Sequence, residues 1–356
     1  GHVSVLNVRK PKILIIRRDN IGDLVCTTPF MHAVRQGLPE SRIDALVTSY
    51  NAPVVLGNPD LDHVYTYTKA KHRGETGQGI MDVHWQKLRM LIGLRREGYD
   101  YVILANIGFS PRPLRLARWI APRHIVGFVE PGTRWSRIVD LGIAPDNVPR
   151  HQVEGLFRLL APLGIAGEPG PARVFPDPAR VRSAQQRLAM ATGKSRTLAV
   201  HLSSRLPHQR WPADSFASLI KKLHSEDQEL RFALFWSPGS EANAMHPGDD
   251  EKASQVLTAT QGLPVIAFPS RTLDELIAGL SVCDAMICSD GGAMHIGAAL
   301  GKPIVCFFGN SDSTHWHPWA VPYVLLQPAS RDVADIAVDE AHAAWGRLMH
   351  DCAAPN

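Results

Sequence analysis

Residues 288–297, Cys-Ser-Asp-Gly-Gly-Ala-Met-His-Ile-Gly, put a carboxylate, two adjacent glycines and a histidine into one short stretch. Before it, Ala285–Cys288 is an apolar run long enough for a buried strand. After it, the Ala-rich Met294–Leu300 has helical spacing and stops at Gly301-Lys302-Pro303. Asp290, Gly291 and Gly292 therefore fall in a strand-to-helix turn. Glycine there lets the backbone approach a ligand closely, and free amides at a helix N-terminus favour an anion such as phosphate. His295, in the first turn, could add a side-chain donor to the same oxygens. A tight turn with a satisfied histidine reads the same way in isolation.

Three other segments fall at the ends of strands. Asp23, in Asn20-Ile21-Gly22-Asp23, could act as a general base on a hydroxyl, or could simply start a helix. In His201–Pro212 two hydroxyls, Ser203 and Ser204, follow a strand, and a cationic loop leads to Arg210-Trp211-Pro212. The serines could bond phosphate oxygens and Arg210 could pair with them bidentately. The alternative for Arg210 is a surface cation, whereas Trp211 reads as a core anchor. Glu241, after Ser237-Pro238-Gly239-Ser240, could accept from ribose hydroxyls or merely complement a helix dipole.

Weaker candidates read as structure. Asp60-Leu61-Asp62 has the Asp-x-Asp form of some metal-carrying sites, but it follows Asn58-Pro59 and reads as a turn. His315-Trp316-His317 lacks an evident third ligand, so no metal site is assigned. There is no Gly-x-Ser-x-Gly, no Gly-x-Gly-x-x-Gly after the first strand and no Walker A sequence. These absences argue against an esterase-type hydrolase, an NAD(P) enzyme and a P-loop NTPase.

The elements that must position these residues alternate. Lys12–Arg17 is a continuous apolar run of the kind found in parallel strands covered on both faces. A helix over 24–36, strand 42–48, a short helix, extended 63–67, a loop over 69–80, helix 84–96, strand 99–105, helix 114–120 and strand 124–129 follow. Residues 164–178, GIAGEPGPARVFPDP, read as an interdomain linker. The alternation then restarts: helix 178–191, strand 197–201, helix 214–225, strand 231–236, helix 241–260, strand 264–268, helix 272–281, strand 284–288, helix 293–300 and strand 303–308. A last helix, 333–349, closes the chain. Two α/β domains, each a doubly wound parallel sheet, are expected, with a cleft at the carboxyl ends of their strands.

At 356 residues there is ample material for two cores. No apolar run approaches the ~20 residues that cross a bilayer, and the first residues read as a strand rather than a leader. The cysteines Cys26, Cys283, Cys288, Cys306 and Cys352 lack metal spacing and read as reduced thiols of a cytoplasmic protein. The net charge of +4 is uneven: residues 1–170 hold 22 Lys+Arg against 15 Asp+Glu, and the remainder 16 against 19. A basic first half points to an acidic partner, while no nucleic-acid signature occurs.

Taken together, ILIIRRDNIGD with TTPFMHAVR, then NPDLDHV, HLSSRLPHQRWPADSF, GSE and SDGGAMHIGAALGKPIVCFFG resemble glycosyltransferase family 9, the ADP-heptose:lipopolysaccharide heptosyltransferases. The resemblance spans roughly residues 12–345 in the family's order. It implies the GT-B fold, two Rossmann-like domains facing across a cleft: residues 1–165 for the acceptor, a linker at 166–178, residues 179–332 for the donor, and a C-terminal helix in 333–356 placed to pack back on the first domain. It also implies roles. Asp23 would be the general base. Ser203, Ser204 and Arg210, with Asp290, Gly291, Gly292 and His295, would hold the donor diphosphate, and Glu241 the nucleoside. The implied reaction is an inverting, metal-independent transfer with no cofactor beyond the ADP-sugar substrate. Its acceptor would be an acidic lipid-linked glycan at the inner face of the inner membrane, contacted peripherally. The alternatives are another nucleotide-hexose donor and a nucleotide-sugar epimerase of the same fold. Three departures stand out: Arg210 replaces the usual lysine, Gly291 the usual Ser or Thr, and Asn310-Ser311 the usual Pro-Thr.

Overall fold

A computed structural model describes residues 10–68, 79–191, 196–239 and 248–354. The expected loop over 69–80 lies mostly outside the described residues, as do Glu241 and the start of the helix expected from 241. The chain divides into two compact units, 1–175 and 176–356, with the division inside the Gly/Pro-rich stretch.

The first unit contains strands β1 (Lys12–Ile16), β2 (Arg42–Thr48), β3 (His63–Tyr67), β4 (Tyr101–Leu104), β5 (His124–Phe128) and β6 (Leu141–Ile143). Its helices are α1 (Ile21–Val25), α2 (Thr28–Gly37), α3 (Ile80–Glu97), α4 (Pro111–Ile120) and α5 (Gln152–Phe157). All strands pair in parallel in the order β3-β2-β1-β4-β5-β6. The apolar run of β1 lies at the centre, where Ile13–Ile16 are buried between layers of helix.

One long helix expected over 24–36 is two. Pro29 has no N–H to give the carbonyl of Val25, so the ladder breaks there. The hydroxyl of Thr28 donates to that carbonyl instead, at 2.7 Å. The break leaves α1 as a single short turn beside the end of β1, and Asp23 sits on it.

The second unit repeats the plan. Its strands are β7 (Arg196–His201), β8 (Leu230–Trp236), β9 (Val265–Pro269), β10 (Ala285–Ser289), β11 (Ile304–Phe307) and β12 (Tyr323–Leu326). Its helices are α6 (Pro178–Leu188), α7 (Ala213–Glu226), α8 (Asp250–Ala259), α9 (Leu273–Ser281), α10 (Gly292–Ala299), α11 (Ser313–Trp316) and α12 (Val338–Ala353). The parallel order is β12-β11-β10-β7-β8-β9. Counted from its own first strand, that is again 3-2-1-4-5-6, the doubly wound order. Trp211 is the expected core anchor. It is fully buried, packs edge-on against Phe216 and donates its Nε1–H to the carbonyl of Ile336 at 2.9 Å.

The end of the chain packs into the second unit. The final helix belongs to the second unit, where Ala341, Ala344 and Leu348 are buried in the core beside Val305, Phe307 and Leu219. Its apolar stripe is used there. Four cysteines are buried, Cys352 is exposed, and all five are free thiols.

Candidate functional site

In doubly wound sheets ligands sit beyond the carboxyl ends of the strands, where the strand order reverses. Here those switch points lie between β1 and β4 and between β7 and β10. The candidate residues on described positions gather near one or the other.

In the first unit the residue that leaves β1 is Arg17, which sequence reasoning passed over as the end of a strand. Its side chain is buried and crosses the switch point, with Nη1 donating to the carbonyl of Ala105 and to Asn106 Oδ1 (3.1 Å) beyond β4. Its Nη2 pairs with Asp23 at 2.9 Å and lies 3.5 Å from Asp19. Among the described residues, the buried Nε has no partner. Asp23 stands at the third position of α1, and its Oδ2 accepts from the Asn20 N–H at 3.2 Å. It is thus a helix-start aspartate and also the partner of a buried cation. Burial raises its pKa above the ordinary carboxylate value, Arg17 pulls it back, and Asp19 pushes it up again. An ionisable carboxylate with a raised pKa at a sheet's carboxyl edge is placed to take a proton.

Arg18, the next residue after Arg17, lines a cavity of about 400 Å³ with Tyr67, Lys87, Arg112, Arg115, Trp119 and apolar residues of α3 and α4. Arg18 donates to the Tyr67 hydroxyl and stacks over its ring at 4.9 Å. Burial lowers the pKa of Lys87, and Arg18 lowers it further. Four cations and no carboxylate line this space, which suits an anionic group. The sequence showed only a basic first half, because the four come from three separated elements.

In the second unit the loop after β7 and the turn after β10 leave neighbouring strands, with Ile287 opposite Val200. Ser203 Oγ accepts from the Ser237 N–H at 2.8 Å, which ties the ends of β7 and β8 together. Arg210 turns back on its own loop, donating to the carbonyls of Ser204 and Arg205, each at 2.9 Å. It also lines a smaller cavity of about 260 Å³ with Glu251 and Lys252.

Asp290, Gly291, Gly292 and His295 form one turn, with Asp290 Oδ1 3.9 Å from His295 Nε2. Burial raises the Asp290 pKa, against the Ser311 hydroxyl and the Gly291 N–H, which hold it down. Gly291 is extended at φ 162°, and a Cβ there would meet no atom within 4 Å. This glycine therefore leaves space and does not relieve strain. His295 is buried edge-on to Trp316, with ring centroids 5.6 Å apart. Burial lowers its pKa to about 4, with His317 and His315 contributing, so at neutral pH it is an uncharged imidazole.

Two residues that the sequence did not single out hold this edge. Gln209, buried, accepts from the Gly309 N–H at 2.9 Å and donates to Ser311 Oγ at 2.8 Å. It joins the β7 loop to the Asn310-Ser311 segment, and through Ser311 to Asp290. Lys252, from α8, donates to the carbonyl of Leu202 at 3.2 Å. A lone glutamine in a polar loop and a lysine on a helix carry no sequence signal.

The turn readings hold for Asp60 and Asp62. Asp60 N–H donates to Asn58 Oδ1 at 2.9 Å, and Asp62 accepts from the Ile43 N–H and from Arg35, each at 2.8 Å. His315 and His317 pack on Trp316 and Tyr323. Among the described residues, no three His, Cys, Asp or Glu side chains are grouped to hold a metal ion.

The comparisons with known proteins bear on the family and the fold. Lipopolysaccharide heptosyltransferase 3 of Escherichia coli K12 is 23% identical over 303 residues, 84% of this chain and 82% of that one. A glycosyltransferase of family 9 from Veillonella parvula superposes with a TM-score of 0.80 at 20% identity, over 99% of both chains. The E. coli ADP-heptose lps heptosyltransferase II superposes at 0.75 with 17% identity, over 96% of this chain and all of that one. Both superpositions show the GT-B fold. The profile of glycosyltransferase family 9 (heptosyltransferase) matches residues 88–334, well over half of the chain. With two doubly wound units and that match together, the chain belongs to glycosyltransferase family 9 and is a glycosyltransferase.

Proposed function

We propose that this enzyme moves a heptose or a related sugar from an ADP-sugar to a hydroxyl of a lipopolysaccharide core or similar surface glycan. The observation that carries the reading is the second unit's switch point, where an open glycine turn, Asp290 and the neutral His295 stand beside the serine loop after β7. Relatives named as lipopolysaccharide and ADP-heptose heptosyltransferases support the donor and the acceptor class.

In the proposed reaction the acceptor oxygen bonds to the anomeric carbon, the bond from that carbon to the diphosphate breaks, and Asp23 takes the hydroxyl proton. One displacement inverts the anomeric centre. As the sugar gains oxocarbenium character, the departing diphosphate gains charge. Preorganised donors at Ser203, Ser204, Gly292 and His295, with the space that Gly291 leaves for the phosphates, stabilise it without a divalent ion. Arg210 adds cationic charge near the loop while its planar fork braces the carbonyls of Ser204 and Arg205. Glu241, outside the described residues, is assigned to the nucleoside. Arg17 holds Asp23 in place and moderates its pKa, so it is a positioning residue. The cation-lined cavity takes an anionic group of the acceptor, and the lipid end of that acceptor brings the enzyme to the cytoplasmic face of the inner membrane as a peripheral protein.

Calorimetric titration with ADP-, UDP-, GDP- and dTDP-sugars tests the donor, because a ligand that binds only the native state also raises its melting temperature. Selective binding of the ADP-sugar is expected. Preference for another nucleotide would refute the donor, and sugar turnover without an acceptor would indicate an epimerase.

A further inference from the structure

The helix α3 carries two apolar faces, and the core uses only one. Val83 and Leu94 are buried, and Met90 and Leu91 are half-buried beside them. At ~100° per residue, Met81, Trp85, Leu88 and Ile92 fall within about 60° of one another on nearly the opposite side. These four are 83%, 62%, 42% and 38% exposed. Single exposed apolar residues are ordinary, but four in register along three turns form a patch.

The rim of the patch is cationic. Arg89, Arg95 and Arg96 flank the stripe, while Asp82 and Glu97 lie further round the helix. Arg95 stacks over Trp119 of α4 at 5.0 Å and donates to its carbonyl at 3.2 Å, which extends the surface to a second aromatic that is 43% exposed. Between residues 80 and 120 there are seven Lys and Arg against three Asp and Glu.

We infer that α3 with Trp119 is the surface on which the first unit lies against an anionic lipid bilayer. The apolar stripe enters the headgroup–acyl boundary, the tryptophans sit at headgroup level, and the arginines meet lipid phosphates. Charge selects this occupant. A second copy of the chain on a two-fold axis would set the arginine rim against itself, whereas an anionic bilayer neutralises it. The inference rests on the membrane contact proposed above but not on the proposed reaction.

Flotation of the full chain with vesicles of phosphatidylcholine, with and without phosphatidylglycerol, tests it. Binding is expected only with phosphatidylglycerol present, and it weakens as salt rises. Trp85→Ser with Leu88→Ser lowers vesicle binding by about tenfold or more. Arg89→Gln with Arg96→Gln does the same and flattens the salt dependence. All four positions are exposed, so both variants keep the wild-type melting temperature. Vesicle binding by the Trp85→Ser/Leu88→Ser variant equal to wild type would overturn the inference, and so would equal wild-type binding to pure phosphatidylcholine. A wild-type dimer that this variant converts to monomer would assign the stripe to a second copy instead. Transfer to a de-acylated acceptor separates the two readings: the surface variants retain it, whereas its absence in wild type refutes the reaction and leaves the vesicle result standing.

Discussion

The two units share one strand order and therefore one kind of crevice, yet they fill it with opposite chemistry. In the first, the chain supplies its own counter-charge: Arg17 crosses from β1 to β4 and spends its donors on Ala105, Asn106 and Asp23. In the second, the turn after β10 is an open glycine, with a neutral imidazole and a carboxylate held by Ser311. A self-satisfied ion pair suits a residue that must gain and lose a proton. Open backbone with neutral donors suits a ligand that arrives with its own charge. The sheet fixes where chemistry happens, and the few residues leaving its strands decide which chemistry.

Breaking the first unit's half has the largest expected effect. Asp23→Ala removes the proposed proton acceptor, and transfer measured with donor and acceptor at saturation falls by about 10³-fold, within the usual range for a general base. The second unit's half is tested by acid. His201 and His295 are both lowered by burial to about 4, against about 6.5 when unfolded, so between those values the unfolded chain binds more protons. Stability is full above pH 6.5 and is lost as pH falls towards 4, by about 3 kcal/mol per histidine. Melting curves across that range check the slope, which His201→Gln makes shallower.

Smaller effects sharpen the comparison. Arg17→Gln removes the cation that pulls the Asp23 pKa down, so the acid limb of kcat/KM moves to higher pH. Activity lost on the acid side of the profile recovers on the alkaline side. A uniform loss at every pH would make Arg17 merely structural. His295→Ala weakens ADP binding by about tenfold in calorimetry, the size of one good hydrogen bond to a charged group. Gly291→Ser is the mildest. Because φ is extended and the Cβ site is open, melting is unchanged, and the added hydroxyl tightens ADP binding by about two- to fivefold, about 0.5–1 kcal/mol.

What could be read in the sequence follows from burial on two faces. The strands β1, β7, β10 and β11 are continuous apolar runs because helices cover both sides, so their ends, and the candidate residues at those ends, were legible. The edge strands β6 and β12 have three and four residues. One contains Gly142, and the other, Tyr-Val-Leu-Leu, is apolar but short and at most half-buried, so neither stands out as a strand. The split of α1 from α2 depends on a threonine hydroxyl replacing a missing N–H. Arg17 looks like a surface cation until β4 is placed beside it, and Gln209 matters only once residues 309–311 are. Pairings between distant segments carry that information, and local pattern does not.

The most direct test of the account is a single variant, Asp23→Asn, measured for both halves at once. ADP affinity by calorimetry should stay within about twofold of wild type, while sugar transfer falls by about 10³-fold. Lost ADP affinity, or transfer at the wild-type rate, would contradict the division of labour between the first unit's carboxylate and the second unit's open turn.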